Sequence, residues 1–121
     1  YIMFGVNETG WAYSDIFIEK YGKIIDEVRE VNPSATIYVQ EIFPVSKKVS
    51  KEHDYVKNKK IKEYNKLLRK MAKKKKVYYI DTASAVELSD GSLPEDAAVD
   101  GIHLNRDGCK EWLKYLQTHT I

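Results

Sequence analysis

Hydrophobic and polar positions follow two different periods along this chain, and the two periods predict strands and helices in turn. Short runs of apolar, aromatic or β-branched residues, typical of buried strands, lie at 1–4, 35–43 and 77–80. Apolar residues spaced by three and four, as on one face of an amphipathic helix, recur over 14–31, 56–71 and 109–116. The predicted order of elements is therefore β-α-β-α-β-α.

Local signals set the ends of these elements. Ser14 is a candidate N-cap of the first helix, which Asn32-Pro33 should end, and Asn105 is a candidate N-cap of the last helix. Residues 45–54 are polar and basic, so we interpret them as an exposed loop.

Alternating strands and helices predict an α/β fold in which about three parallel strands are joined by right-handed crossovers, with helices on the faces of the sheet. The first strand, at 1–4, is apolar on both faces and has no polar residues before it. We therefore expect the chain to begin inside a domain whose N-terminal strands are missing. Those strands, or a second copy of the chain, should pair at the open edge of the sheet.

Composition and charge exclude some classes of protein. With 43% hydrophobic and 31% charged residues, the chain has an ordinary globular composition. Its formal net charge of +2 does not argue for nucleic acid, and we interpret the lysines at 73–76 as a solvated helix end. The sequence has no apolar run long enough for a membrane span, and its single cysteine, Cys109, cannot form an internal disulfide.

Two short motifs carry residue types that perform chemistry. Gly5-Val6-Asn7-Glu8 follows the first strand, and Asp100-Gly101-Ile102-His103 precedes the last helix. Ligands of open α/β sheets gather at the carboxyl ends of the strands, where both motifs are expected. A histidine changes charge near neutral pH, and a carboxylate three residues earlier could hold its ring. An asparagine after a strand is also common in turns, and an aspartate near a histidine can be an ordinary loop contact.

Together the two motifs resemble blocks of the SGNH hydrolases, a family of esterases and acylhydrolases, and the stretch DGIHLNRDG is similar to the family's usual C-terminal block. The resemblance implies a flavodoxin-like three-layer fold, of which residues 1–121 form the C-terminal part of a single domain. It also implies that Asp100 and His103 are the acid and base of a catalytic triad, that Asn7 is an oxyanion donor, and that Gly5 permits the tight turn before it. Neither a metal nor an organic cofactor is implied.

The sequence departs from this family pattern in one important way. It contains neither the Gly-Asp-Ser block that carries the nucleophile nor the block that supplies a second oxyanion donor, and Glu8 stands where an aspartate is usual. We therefore expect esterase activity, with carbohydrate esters among the candidate substrates, in a longer parent protein and not in this chain alone. Gly5, Trp11 and Tyr13 are candidate substrate-binding residues, and the two aromatic side chains could form walls of an acyl or sugar pocket. The alternative is a binding or interaction module that has lost its nucleophile.

Overall fold

Two parallel strands form the centre of the fold in a computed structural model that describes residues 1–121. The strands are β1 (Tyr38–Gln40) and β2 (Tyr78–Ile80). The α-helices are α1 (Ser14–Val31), α2 (Lys47–Glu52), α3 (Asn58–Lys75) and α4 (Arg106–Thr118). Short 3₁₀ helices lie at Glu8–Gly10, Thr82–Ala85 and Glu95–Ala97. None of the α-helices has both the length and the apolar character that crossing a bilayer requires.

The sheet is parallel, as the alternation of elements predicts. Tyr38 pairs with Tyr78, and the register continues along both strands. On the other side of β1, Ile2 forms an isolated parallel bridge, in which its N–H donates to Tyr38 O at 2.8 Å and its carbonyl accepts from Gln40 N at 2.9 Å. The strand predicted at 1–4 is therefore present as one bridged position.

The two faces of β1 contact different helices because successive side chains on a strand point to opposite sides. Val39 belongs to the buried core that α1 and α3 cover, whereas Gln40 accepts a 2.9 Å hydrogen bond from Trp112 Nε1 on α4. Helices thus lie on both faces of the sheet, and the predicted α/β class is confirmed.

The main core lies between α1, α3 and β1. Its α1 side chains, Phe17, Tyr21 and Ile25, are buried against Tyr64 and Leu68 of α3. Each fully buried side chain of this size contributes about 1.5–3 kcal/mol relative to its exposed state. The three- and four-residue spacing found in the sequence therefore marks the faces that the helices bury.

Two local predictions need correction. The segment at 45–54 is not a simple loop, because α2 forms within it and the Ser46 side chain accepts a hydrogen bond from Val49 N at 3.2 Å. Ser14 is not an N-cap, because it already lies in α1 and Tyr13 occupies the capping position without a side-chain hydrogen bond.

The chain leaving β1 is held by two asparagine side chains of α3. Ile42 N donates to Asn65 Oδ1 at 2.8 Å, and Asn65 Nδ2 donates back to Ile42 O at 2.9 Å. Asn58 makes the same reciprocal pair with Val45, at 2.8 and 2.9 Å. These amides satisfy backbone groups that a neighbouring strand would otherwise satisfy. As a result the segment runs along α3 and the strand ends early, at Gln40.

Replacing Asn65 by alanine should lower the free energy of unfolding by about 2–4 kcal/mol, because two buried backbone groups of Ile42 lose their partners. Urea denaturation measures this loss. The control Asn32→Ala removes an exposed asparagine bonded to Ser34, and should change stability by no more than about 0.5 kcal/mol. Equal stability of the two variants would contradict the proposed anchoring.

Candidate active site

The predicted acid and base lie in a tight reversal of the chain just before α4. Val99 N donates to His103 O at 2.9 Å, and Ala98 forms an isolated antiparallel bridge with Leu104. Gly101 lies within the reversal with φ of 79°, a left-handed conformation that glycine adopts without strain. The reversal brings position 100 next to position 103.

Asp100 contacts His103 directly. Its Oδ1 accepts from the backbone N–H groups of Ile102 and His103 at 2.9 and 2.8 Å, and its Oδ2 lies 2.7 Å from His103 Nδ1. The backbone hydrogen bond from His103, followed by the imidazole contact, holds the pKa of Asp100 well below its ordinary value. Because an ionised carboxylate only accepts hydrogen bonds, Nδ1 carries the proton in the neutral ring. His103 Nε2 is then left with its lone pair available as a base.

The start of α2 anchors this reversal from one side. Ser46 N donates to Gly101 O at 2.7 Å. A Cβ atom on Gly101 would lie 2.6 Å from both Ser46 Oγ and Val49 Cγ2. The glycine is therefore required by the close approach of α2 as well as by its φ angle.

The start of α4 anchors the reversal from the other side. Asn105 Oδ1 accepts from Gly108 N at 2.9 Å, which confirms Asn105 as the N-cap, and Asn105 N donates to Ala97 O at 2.9 Å. A Cβ atom on Gly108 would lie 2.6 Å from Ala97 O. Both glycines of DGIHLNRDG thus allow the backbone to pack closely around Asp100 and His103.

His103 borders an apolar pocket of about 340 Å³. Most of its lining is apolar and comes from the segment at 3–6, the chain after β1, the reversal and α4. The side chains in the lining are Met3, Phe4, Val6, Ile42, Phe43, Ile102, His103, Leu104, Cys109 and Trp112, together with Gly5. An imidazole at the edge of an apolar pocket is suited to act on a bound organic group.

Asn7 lies in a tight turn that begins at Gly5. Gly5 has φ of 131°, and a Cβ atom there would lie 2.6 Å from Ile42 Cδ1. Thr9 fixes the turn, since its N–H donates to Gly5 O at 3.1 Å and its hydroxyl donates to Val6 O at 2.7 Å. Asn7 is exposed, and its side chain does not cap the 3₁₀ helix that follows. Gly5 thus borders the His103 pocket, whereas Asn7, two residues later, is not among the residues that line it.

The structure does not bring Trp11 and Tyr13 to this pocket. Their side chains are 54% and 62% exposed, and neither lines the cavity beside His103. Another histidine, His53, makes a local structural contact, in which its Nδ1 accepts from the backbone N–H groups of Tyr55 and Val56. The chain contains no cluster of three or more histidine, cysteine, aspartate or glutamate side chains that could hold a metal ion.

Sequence reasoning missed the residues that position the pair. Ser46 anchors Gly101, and Asn58 and Asn65 hold the segment that leads to Ser46. A signal for the asparagines exists in the sequence, because they lie seven residues apart on the face of α3 that Ile61 and Leu68 bury. A polar side chain in an apolar helix stripe should have a buried partner.

A model of the GDSL-like lipase/acylhydrolase family matches residues 1–110. No curated protein sequence matches the chain significantly.

Three solved structures share the fold. A protein from Streptococcus pneumonia, provisionally described as a platelet activating factor, is 21% identical with a TM-score of 0.87, over 97% of this chain and 56% of that one. The esterase domain of the ORF1 protein from the zebrafish ZfL2-1 retrotransposon is 19% identical with a TM-score of 0.66, over 94% and 62%. The acetyl xylan esterase AlAXEase is 19% identical with a TM-score of 0.74, over 98% and 65%. This chain therefore spans less than two thirds of each neighbour's length.

Replacing Gly101 by alanine should destabilise the fold more than the same change at Gly91, although both have φ of 79°. The left-handed conformation costs alanine about 1–2 kcal/mol at either position. Only at Gly101 does the new methyl group overlap Ser46 and Val49, which should cost at least about 1 kcal/mol more. Urea denaturation compares the two variants. Equal losses would show that α2 does not restrain the reversal.

The Asp100 contacts also predict a pH dependence of stability. Because the folded pKa of Asp100 lies below its unfolded value, its contribution is present above about pH 3.9 and is lost as the pH falls through the folded pKa. Asp100→Asn should therefore be less stable than the unmodified chain at neutral pH, and the difference should shrink in acid. Asp107→Asn removes another exposed negative charge, as a control. An acid-independent difference for Asp100→Asn would contradict this assignment.

Proposed function

The chain belongs to the GDSL-like lipase/acylhydrolase family, and we infer that it supplies the acid and base of a serine esterase whose nucleophile lies in another segment of the parent protein. The observation that carries this proposal is the 2.7 Å contact between Asp100 and His103 at the edge of an apolar pocket. Asp-His pairs oriented in this way activate a serine hydroxyl in unrelated hydrolase folds.

The proposed reaction is acyl transfer to serine and then to water. His103 Nε2 takes the proton of the serine hydroxyl as its oxygen attacks the ester carbonyl, and the resulting imidazolium is stabilised by the Asp100 carboxylate. The imidazolium then gives the proton to the departing alkoxide. Water, activated by the same nitrogen, hydrolyses the acyl-enzyme and restores the serine. The low pKa of Asp100 supports this role, because the carboxylate remains ionised throughout the cycle.

Asn7 is the proposed oxyanion donor of this chain. Its turn is fixed by Gly5 and Thr9, and its exposed amide makes no hydrogen bond within the chain that would compete with a ligand. An amide N–H aimed at the oxygen of a tetrahedral intermediate stabilises the charge that develops there.

The open edge of the sheet is an argument that the nucleophile comes from a further segment of the parent protein. Ile2 bonds to β1 on one side only, and its neighbours Tyr1 and Phe4 are 67% and 52% exposed. We propose that strands from the preceding part of the parent protein pair there, with a second copy of this chain as the competing occupant. Pairing at this edge would place a residue from the added strand close to Gly5 and the pocket that it borders.

The proposed substrate is an ester of a short acyl group, and a carbohydrate ester is our preferred case. The pocket of about 340 Å³ beside His103 is lined mainly by apolar side chains, which suits a small acyl group. Acetyl xylan esterase activity in a structural neighbour of the same fold supports a sugar as the alcohol.

In the parent protein, His103→Ala should lower kcat/KM for p-nitrophenyl acetate by about 10⁴-fold or more, since it removes the proposed base. Asn7→Ala should lower it by about 10²–10³-fold through loss of one oxyanion donor. His119→Ala, which removes an exposed histidine of the α4 end, should leave the rate unchanged. Full activity of the His103 variant would contradict the proposal.

The 121-residue chain by itself should not hydrolyse this ester above background, because it supplies no nucleophile for His103 to activate. Hydrolysis by the isolated chain that His103→Ala abolishes would show that the nucleophile lies within these residues. An inactive parent protein would favour the alternative of a non-catalytic binding module.

A further inference from the structure

Charge is distributed very unevenly along this chain. Residues 57–76, which include α3, contain eleven basic side chains and one acidic side chain. The remaining 101 residues contain nine basic and seventeen acidic side chains. The small net charge of +2 therefore conceals a strongly positive helix on an otherwise negative molecule, and such a surface attracts anions over a distance.

Five of these cations form a line, which we call the lysine stripe: Lys59, Lys62, Lys66, Lys70 and Lys73. Their spacings of three and four residues place them on one face of α3, over about 21 Å of helix at 1.5 Å per residue. All five are exposed, and none forms an ion pair. The stripe is thus a row of single charges with no partner in this chain.

The stability of α3 does not explain the stripe. Cations at a helix C-terminus interact favourably with the helix dipole, which accounts for Lys73, but Lys59 lies in the first turn, where positive charge is unfavourable. The pairs Lys62–Lys66 and Lys66–Lys70 place like charges at i,i+4, which also destabilises a helix. A bound polyanion would relieve both repulsions.

The residues that line the groove along the stripe indicate which kind of polyanion would fit it. It measures about 860 Å³ and contains no hydrophobic residue, so it offers neither a ring on which bases stack nor an apolar side chain for a bilayer. Two carboxylates, Glu41 and Glu63, lie among the lysines. They repel any anion, but unlike the lysines they can accept hydrogen bonds, so this lining suits a polyanion that also carries hydroxyl groups.

We propose that the lysine stripe binds an acidic polysaccharide, with its lysines on the carboxylates of the sugar chain and Glu41 and Glu63 on its hydroxyls. This surface is separate from His103 and its pocket, since the two share no lining residue. Binding by the stripe therefore does not depend on the proposed esterase activity. In a parent esterase it would hold a charged, acylated polymer while the ester reacts elsewhere.

The test measures binding of polygalacturonate to the 121-residue chain by isothermal titration calorimetry at low salt. The variant K62E/K66E/K70E should bind at least about tenfold more weakly, because three contacts become repulsive. The control variant K20E/K23E/K110E changes the net charge by the same amount on α1 and α4, and should bind within about twofold of the unmodified chain. Circular dichroism melting confirms that both variants fold.

Each outcome decides the proposal. Binding that weakens as salt is added, and that only the stripe variant loses, supports it. Equal losses in both variants would show a nonspecific charge effect and overturn it. If duplex DNA at the same charge concentration bound more tightly than polygalacturonate, the result would overturn the proposal and identify the stripe as a nucleic-acid-binding surface. If neutral dextran bound as tightly as polygalacturonate, the charges of the lysines would not contribute to binding, and the proposal would be overturned.

The milder variant K62Q/K66Q provides a second measurement. It removes like-charge repulsion along α3, so the free chain should melt at a higher temperature, while polygalacturonate should raise the melting temperature less than it does for the unmodified chain. A thermal shift as large as that of the unmodified chain would contradict binding at the stripe.

Discussion

The fold around the candidate site depends on two asparagine side chains that take the place of a strand. Asn65 and Asn58 each exchange a pair of hydrogen bonds with the backbone, at Ile42 and Val45. Without them, Ile42 N, Ile42 O and Val45 N would be left near the core with no partner, whereas Val45 O would keep its hydrogen bond from Leu93 N. The amides therefore decide where β1 stops and direct the chain along α3 toward Ser46. That path brings Ile42 to the pocket and Ser46 to the reversal that holds His103.

The positions of Asp100 and His103 follow from this path through close backbone contacts. Ser46 holds the carbonyl of Gly101, and α4 packs against Ala97 at Gly108. Neither contact tolerates a side chain on the glycine, so the two helices approach the reversal as closely as backbone atoms allow. Asp100 can then accept three hydrogen bonds within its own loop. A short, exposed segment is in this way held in one conformation without a core of its own.

The periodicity of apolar residues predicts most of this fold from the sequence. Short-range spacing predicts one part of the candidate site, the contact between Asp100 and His103. The faces of α1 and α3, the parallel sheet and the Asn105 cap follow from local patterns, because burial and capping act within a few residues. The Asp100–His103 contact spans three residues and is similarly accessible. The early end of β1 and the contact of Ser46 with Gly101 cannot be predicted in this way. They join residues 23 and 55 positions apart, and they use backbone groups, which leave no pattern in the sequence. The sequence does not predict α2 because five of its six residues are polar and none is fully buried.

The exposure of Asp100 and His103, the proposed acid and base, gives the proposed nucleophile segment a second role. The side chains of His103 and Asp100 are 72% and 50% exposed, and water screens their interaction at that exposure. An imidazolium formed during ester hydrolysis gains far more from a neighbouring carboxylate when water is excluded. The pocket beside His103 has mainly apolar walls but is partly open to solvent. A segment that pairs at the edge beside Ile2 would cover that opening while it delivers the serine. The same segment would then place the serine hydroxyl and exclude water from Asp100 and His103. Without that segment, this chain would have neither the nucleophile nor a water-free site.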